Sequence, residues 1–306
     1  MEELRLNGKC LYTPGGSARE YAAVGCNFYR GCPYQCRYCF NRKGMTAKVM
    51  GVDHAVLDDC FTKEKNRPKK YRDLTGEEYA LLVFKRELNN HLDYFRKTGI
   101  FFSFSTDPLC QESAWLTTGA ALYAVSNGVP VKILTKNANW PTNIAVLFES
   151  QKAENKRLIA FGFTLTGRDD WEPYASENQQ RIEMLRELHE QGFKTFASIE
   201  PIIDFDSSLE MIKQSVSNCD QFLIGLMSSR QANGLEPYSE EKCSEFIYYA
   251  DAAMFSAYVN KETHGLVKIY WKESIRKFMG NNAFAMQTIN HSPVSVNRDW
   301  NLFEDK

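Results

Sequence analysis

Five apolar runs recur along the middle of the chain about every thirty residues, the length of one strand–helix–strand unit. They lie near Ile100–Phe104, Val131–Leu134, Leu158–Phe163, Phe193–Ile199 and Gln221–Leu226. Helix-like segments separate them at Ser113–Ser126, Asn139–Ser150, Ser176–Gln191 and Ser207–Ser217. In the third of these, Ile182, Leu185 and Leu188 point inward and the Arg, Glu and Gln residues are assigned outward. Such alternation predicts a parallel sheet, because each return to a parallel neighbour needs a crossover connection. The short aromatic run Tyr21–Tyr29 supplies a first strand. The expected fold is α/β: a partial barrel of the TIM type with about six β/α units and a C-terminal extension.

The flanks are read the same way. Residues 1–20 are polar and loop-like, with Pro14-Gly15-Gly16 as a turn signal. Residues 45–75 form a long connection whose run KEKNRPKKYR gathers Lys63, Lys65, Arg67, Lys69, Lys70 and Arg72. A charge run of this kind is a solvated surface or, if it adjoins a site, a phosphate-binding patch. Thr75 and Glu78 have the spacing of a capping box. Leu81, Phe84, Leu88, Leu92 and Phe95 then form one apolar helical face that ends at Gly99. After about Arg230 the rhythm breaks into a helix at Glu240–Val259, a strand at His264–Trp271, a short basic helix at Lys272–Met279 and a polar end. The division is therefore a core over 1–230 and an extension over 231–306 that covers the barrel or mediates contacts.

The stretch from Gly25 to Gly44 reads GCNFYRGCPYQCRYCFNRKG, with Cys32, Cys36 and Cys39 spaced C-x3-C-x2-C between the aromatics Tyr38 and Phe40. Thiolates this close on a loop can wrap one corner of an iron–sulfur cube. A [4Fe–4S] cluster normally takes a thiolate on each iron, so three local cysteines leave one iron without a protein ligand. An open position distinguishes a reactive metal site from a sealed structural one. The alternative is structural zinc, whose ligands usually come as two C-x2-C-like pairs. The remaining cysteines (10, 26, 60, 110, 219, 243) are scattered, and Cys26 is the candidate for a fourth, closing ligand.

Composition bounds the partners. A chain of 306 residues, 43% hydrophobic and 25% charged, can bury a large core. Its net charge of −1 gives no global field to attract nucleic acid or an anionic membrane. Nine cysteines without a disulfide-like framework fit a reducing compartment and a metal role. The start MEELRLNGKC is too polar for a signal peptide and no apolar run approaches membrane-spanning length, so the expectation is a cytoplasmic protein without a membrane partner.

The cysteine spacing and its flanking aromatics resemble the radical S-adenosylmethionine (SAM) superfamily. The resemblance implies that Cys32, Cys36 and Cys39 hold a [4Fe–4S] cluster and that the free iron chelates the amino and carboxylate groups of SAM. It further implies that an electron from an external flavodoxin- or ferredoxin-type donor breaks the sulfonium to give a 5′-deoxyadenosyl radical. A partial β/α barrel is also that family's fold. Active groups in parallel β/α folds sit at the C-terminal strand ends. Here those ends read Ser103-Phe-Ser105-Thr106-Asp107-Pro108, Thr135-Lys136, Thr164-Leu-Thr166-Gly-Arg168 and Ser198-Ile-Glu200-Pro201. Chance capping of the following helices is the plainer account of any one of them. As SAM contacts, Ser105 and Thr106 suit the amino-acid end and Asp107 an ammonium or ribose hydroxyl. Lys136 suits a carboxylate or an anionic substrate, Glu200 a ribose, and Phe40 the adenine. Thr164 and Ser198 complete the candidate set.

Within the superfamily the chain resembles the spore photoproduct lyase branch over roughly residues 20–210. The shared stretches are the cysteine loop, STDPLCQES at Ser105–Ser113, VKILTKNANW at Val131–Trp140, and Glu172–Asp204. The branch implies lyase or transferase-type chemistry and leaves the substrate unidentified, with nucleic acid or nucleotide repair or modification as the alternative. Two departures separate the chain from the lyase itself. The lyase's hydrogen-returning cysteine stands three residues before the motif's Asp, where this chain has Phe104. Tyrosines flank the lyase's third cysteine; Tyr38 is present here, but Phe40 lacks the hydroxyl. The catalytic candidates are therefore Tyr38 and Cys110, the latter read first as a buried small apolar residue. The competing class is a non-catalytic iron–sulfur or zinc protein. Aromatics of the C-terminal part, Tyr238, Phe246, Tyr248, Tyr249 and Trp271, are base-stacking candidates or core residues.

Overall fold

The computed structural model describes residues 4–44, 47–228, 230–260 and 267–279. Among the described residues ten strands are formed: β1 Leu11–Tyr12, β2 Gly25–Cys26, β3 Tyr29–Arg30, β4 Val56–Leu57, β5 Ile100–Phe102, β6 Val131–Thr135, β7 Ile159–Thr164, β8 Lys194–Ile202, β9 Gln221–Leu226 and β10 Lys268–Trp271. Eight are hydrogen-bonded in the order β1-β2-β5-β6-β7-β8-β9-β10, and β3 pairs with β4 separately. β1 meets β2 antiparallel, whereas β2–β5, β5–β6, β8–β9 and β9–β10 are parallel. The fold is a mostly parallel α/β sheet of the partial-barrel kind. β5, β7 and β9 are buried at every residue, as strands covered on both faces must be.

Contacts divide the chain into two compact units. The first comprises residues up to Gln35 and Cys39–Ala160; the second comprises Cys36–Tyr38 and residues from Phe161 onward.

In the first unit, Thr75 caps the helix Gly76–Asn90. Its hydroxyl accepts from Glu78 N and the Glu78 carboxylate accepts from Thr75 N, the reciprocal box the spacing predicts. The apolar face differs from expectation. Tyr79, Ala80, Val83, Phe84 and Leu88 are buried, while Leu81 and Leu92 are only half-buried. The helix stops at His91, whose φ of −139° and ψ of 38° leave helical space, and a second helix, Leu92–Thr98, follows. Asn89, Asn90 and His91 are weak helix formers, which explains the break and the rotated face. Gly99 ends the second helix with φ 66°. The expected first strand becomes two short ones, β2 and β3, and the N-terminal segment contributes β1.

In the second unit the helix Asn178–Glu190 buries Ile182, Leu185 and Leu188 as expected. Arg181 departs from the outward assignment and is fully buried. It stands four residues before Leu185 and seven before Leu188, on the same inward stripe. Glu240–Val259 is helical over the range read from sequence. β10 runs parallel beside β9, and the short helix Glu273–Arg276 follows it. The expected strand start at His264 and the polar stretch after Met279 lie outside the described residues.

Candidate active site

The cysteine loop leaves β3 through Gly31, whose φ is 77°. A Cβ there would meet Val52 Cγ2 at 2.2 Å and His54 O at 2.4 Å, so only glycine fits the turn. Cys32 N then donates to Val52 O at 3.2 Å, and Arg42 Nη1 donates to Gln35 O at 2.7 Å. Cys39 precedes a short 3₁₀ turn, Phe40–Arg42. Cys32 and Cys39 are half-buried and Cys36 is buried, and no cysteine is in a disulfide. Phe40 is 61% exposed.

Cys26 is committed elsewhere. It lies in β2, its buried thiol hydrogen-bonds that of Cys10, and Cys10 Sγ lies 3.1 Å from Glu87 Oε2. Burial pushes both thiols up from their ordinary range. Cys26 is thus drawn away from the role of fourth ligand. Among the described residues no three His, Cys, Asp or Glu side chains converge on one ion position. The thiolates of an iron–sulfur cube bind separate irons and need no common point, whereas those of a single zinc do.

At the end of β5 the polar run is divided between internal and unspent groups. Ser105 Oγ donates to Tyr29 O, tying the run to β3. Asp107 accepts from Thr135 Oγ1 at 2.7 Å, Lys136 N at 2.7 Å and Leu109 N at 3.0 Å. Its carboxylate therefore locks the β5 and β6 ends together, and Lys136 joins it through the backbone. Burial raises the Asp107 carboxyl, against the lowering effect of these bonds. Thr106 Oγ1 is buried with no partner. So is Asn41 Oδ1, two residues after Cys39, while Asn41 Nδ2 donates to Phe104 O at 3.1 Å. Two orphaned polar atoms beside the last cysteine and the β5 end fit a polar ligand there, since buried polar groups otherwise find partners.

Phe104 occupies the position three residues before Asp107 as a core aromatic. Its ring stacks on Phe101 with centroids 4.5 Å apart and meets Tyr21 edge-on at 6.1 Å. Cys110 is buried, its Sγ 3.2 Å from Ser113 Oγ, and burial pushes the thiol up to about 12. Two charges of the basic run, those of Lys63 and Arg72, are paired where they stand. Lys63 pairs with Asp59, Arg72 with Glu64 at 3.1 Å, and Arg67 donates to the carbonyls of Leu74 and Thr62.

In the second unit Thr164, Ser198 and Glu200 lie at the ends of β7 and β8. Thr164 O accepts from Arg181 Nη1 at 2.7 Å, and Ser198 O accepts from Leu165 N at 3.0 Å. Glu200 receives Lys272 Nζ on both oxygens, at 2.8 and 2.7 Å. Lys272 follows β10 directly and is 2% exposed. Tyr38 packs with Trp171, Ile203 and Met227, and its hydroxyl donates to Glu172. Burial foremost, then the charges of Cys36 and Glu172, push that phenol well above its ordinary range, so it stays protonated. The sequence gives no hint that Glu172, Lys272 and Asn41 stand beside the candidate residues. Arg181 alone had a signal, its place in an apolar helical stripe.

No family model matches the chain. A curated relative, an uncharacterized protein of Methanocaldococcus jannaschii, is 25% identical over 185 residues, which are 58% of this chain and 59% of that protein. The match therefore spans less than two thirds of that relative's length. Among solved structures, spore photoproduct lyase complexed with dinucleoside spore photoproduct superposes with a TM-score of 0.57 over 85% of this chain and 80% of that one, at 12% identity. The chain has the fold of spore photoproduct lyase. A variant of the lyase with bound AdoMet and dinucleoside spore photoproduct gives a TM-score of 0.56 over the same shares, again at 12% identity. No helix among the described residues is long and apolar enough to cross a membrane.

Proposed function

We propose that the chain is a radical SAM enzyme of the spore photoproduct lyase-like branch. The carrying observation is the C-x3-C-x2-C loop, with no cysteine in a disulfide, on a chain with the lyase's fold. When bound, a [4Fe–4S] cluster and SAM supply reductive cleavage of the sulfonium and a radical that abstracts hydrogen from substrate.

The chain's own groups bind and orient. Cys32, Cys36 and Cys39 ligate three irons. Thr106 Oγ1 and Asn41 Oδ1, buried and unspent, hydrogen-bond the polar groups of SAM. Asp107 holds Thr135 and the Lys136 backbone in register at the strand ends, where the Lys136 side chain is the candidate for a carboxylate. Phe40, largely exposed, offers a ring face to adenine. The lyase's route of hydrogen return does not carry over to this chain, because Phe104 is a core aromatic without a thiol and the Cys110 thiol is buried among internal contacts.

The test is anaerobic reconstitution with iron and sulfide. The wild-type chain should take up about four irons, and the variants Cys32→Ala, Cys36→Ala and Cys39→Ala should each lose the cluster. Stoichiometric zinc with no iron uptake would favour the structural-metal class.

A further inference from the structure

The centre of the cysteine loop is held by a buried charge pair that the proposed chemistry does not itself require. Arg37 N donates to Trp171 O at 2.9 Å, and the Tyr38 hydroxyl donates to Glu172 Oε1. Glu172 Oε2 takes Arg181 Nη2 at 2.7 Å and Thr166 Oγ1 at 3.2 Å. Arg181 Nη1 donates to Thr164 O and its Nε to Ser176 O, each at 2.7 Å. The chain of bonds runs from the end of β7, through Arg181 and Glu172, to the residue two positions after Cys36.

Two physical points make this more than packing. A buried ion pair can generally be replaced by apolar groups without loss of stability, so stability alone does not call for it. Cys36 is itself buried in the same unit, two residues before the hydroxyl that Glu172 holds. Groups that orient first ligands and tune their basicity act on metal affinity without touching the metal.

We propose that Glu172 and Arg181 are positioning residues for Cys36, Glu172 acting through the Tyr38 hydroxyl and Arg181 by holding Glu172, and that they set how firmly this ligand holds its iron. The inference rests on the radical SAM reading only in taking Cys36 as a cluster ligand.

The test measures iron release from the anaerobically reconstituted full chain into excess chelator. Tyr38→Phe removes one hydroxyl and should speed release by about ten- to a hundredfold. Glu172→Gln should do the same, and the double variant should be no faster than the faster single one, because both act through one bond. Thr75→Ala, which removes a distant helix cap and lowers stability by about 1 kcal/mol, should release iron at the wild-type rate. Loaded Tyr38→Phe releasing iron like wild type would overturn the proposal, as would Thr75→Ala releasing it as fast as Tyr38→Phe. Should Glu172→Gln fail to fold, Tyr38→Phe against Thr75→Ala decides alone. A wild-type chain that takes up no iron would instead sink the reading beneath it, and is seen before any variant is made.

Discussion

Arg181 and Glu172 form an ion pair at 2.7 Å with both side chains fully excluded from solvent. The pair is satisfied on nearly every side, by Thr164, Ser176, Thr166 and Tyr38. Removing one partner leaves the other charge buried without compensation. Arg181→Met should therefore cost about 3–5 kcal/mol, read as a lowered urea midpoint with an unchanged slope. A midpoint within experimental error of wild type would show that the pair is not the tie described here.

Asp251 gives a pH dependence with a definite sign. It is 4% exposed on the helix Glu240–Val259, both its oxygens lack partners, and burial raises its carboxyl from 3.8 to about 6. The folded state thus prefers the protonated form. Its contribution is fully present below 3.8 and is lost as pH rises through about 6. Asp251→Asn should stabilise the chain by about 2–3 kcal/mol at pH 8 and by almost nothing at pH 4, measured by denaturation at both. Equal effects at the two pH values would contradict the assignment.

Gly225 on β9 is the bare spot over which Lys272 reaches Glu200. An added Cβ would lie 2.9 Å from Lys272 Cδ and 3.0 Å from Glu200 Oε1. Gly225→Ala should displace the pair and cost about 1–3 kcal/mol, seen as a lowered Tm. An unchanged Tm would mean the two side chains move aside freely.

Asp107→Ala strands the Thr135 hydroxyl and the amides of Lys136 and Leu109, all of which now donate to its carboxylate. The expected loss is about 2–4 kcal/mol in denaturant titration, together with weaker SAM binding as the β5 and β6 ends separate. Full stability with intact SAM affinity would remove Asp107 from both roles.

What was legible in the sequence was local. Thr75 and Glu78 are three residues apart, and their capping box forms as the spacing predicts. Gln221–Leu226 and Glu240–Val259 are carried by their own periodicity and appear over the ranges read. What was hidden depends on residues distant in the chain. Tyr38 meets Glu172 across 134 residues, and Glu200 meets Lys272 across 72. Residue type places the charged Arg181 outward, whereas its spacing to Leu185 and Leu188 puts it inward, where the structure has it. The orphaned atoms of Thr106 and Asn41 follow from how their neighbours spend their own hydrogen bonds, which no spacing encodes.

On the proposed function, this cysteine loop initiates radical chemistry on SAM. Reconstituted protein, reduced with dithionite under strict anaerobiosis in the presence of SAM, should release 5′-deoxyadenosine, and the Cys36→Ala variant treated identically should not. No release from an iron-loaded wild-type chain, or equal release from the variant, would contradict it.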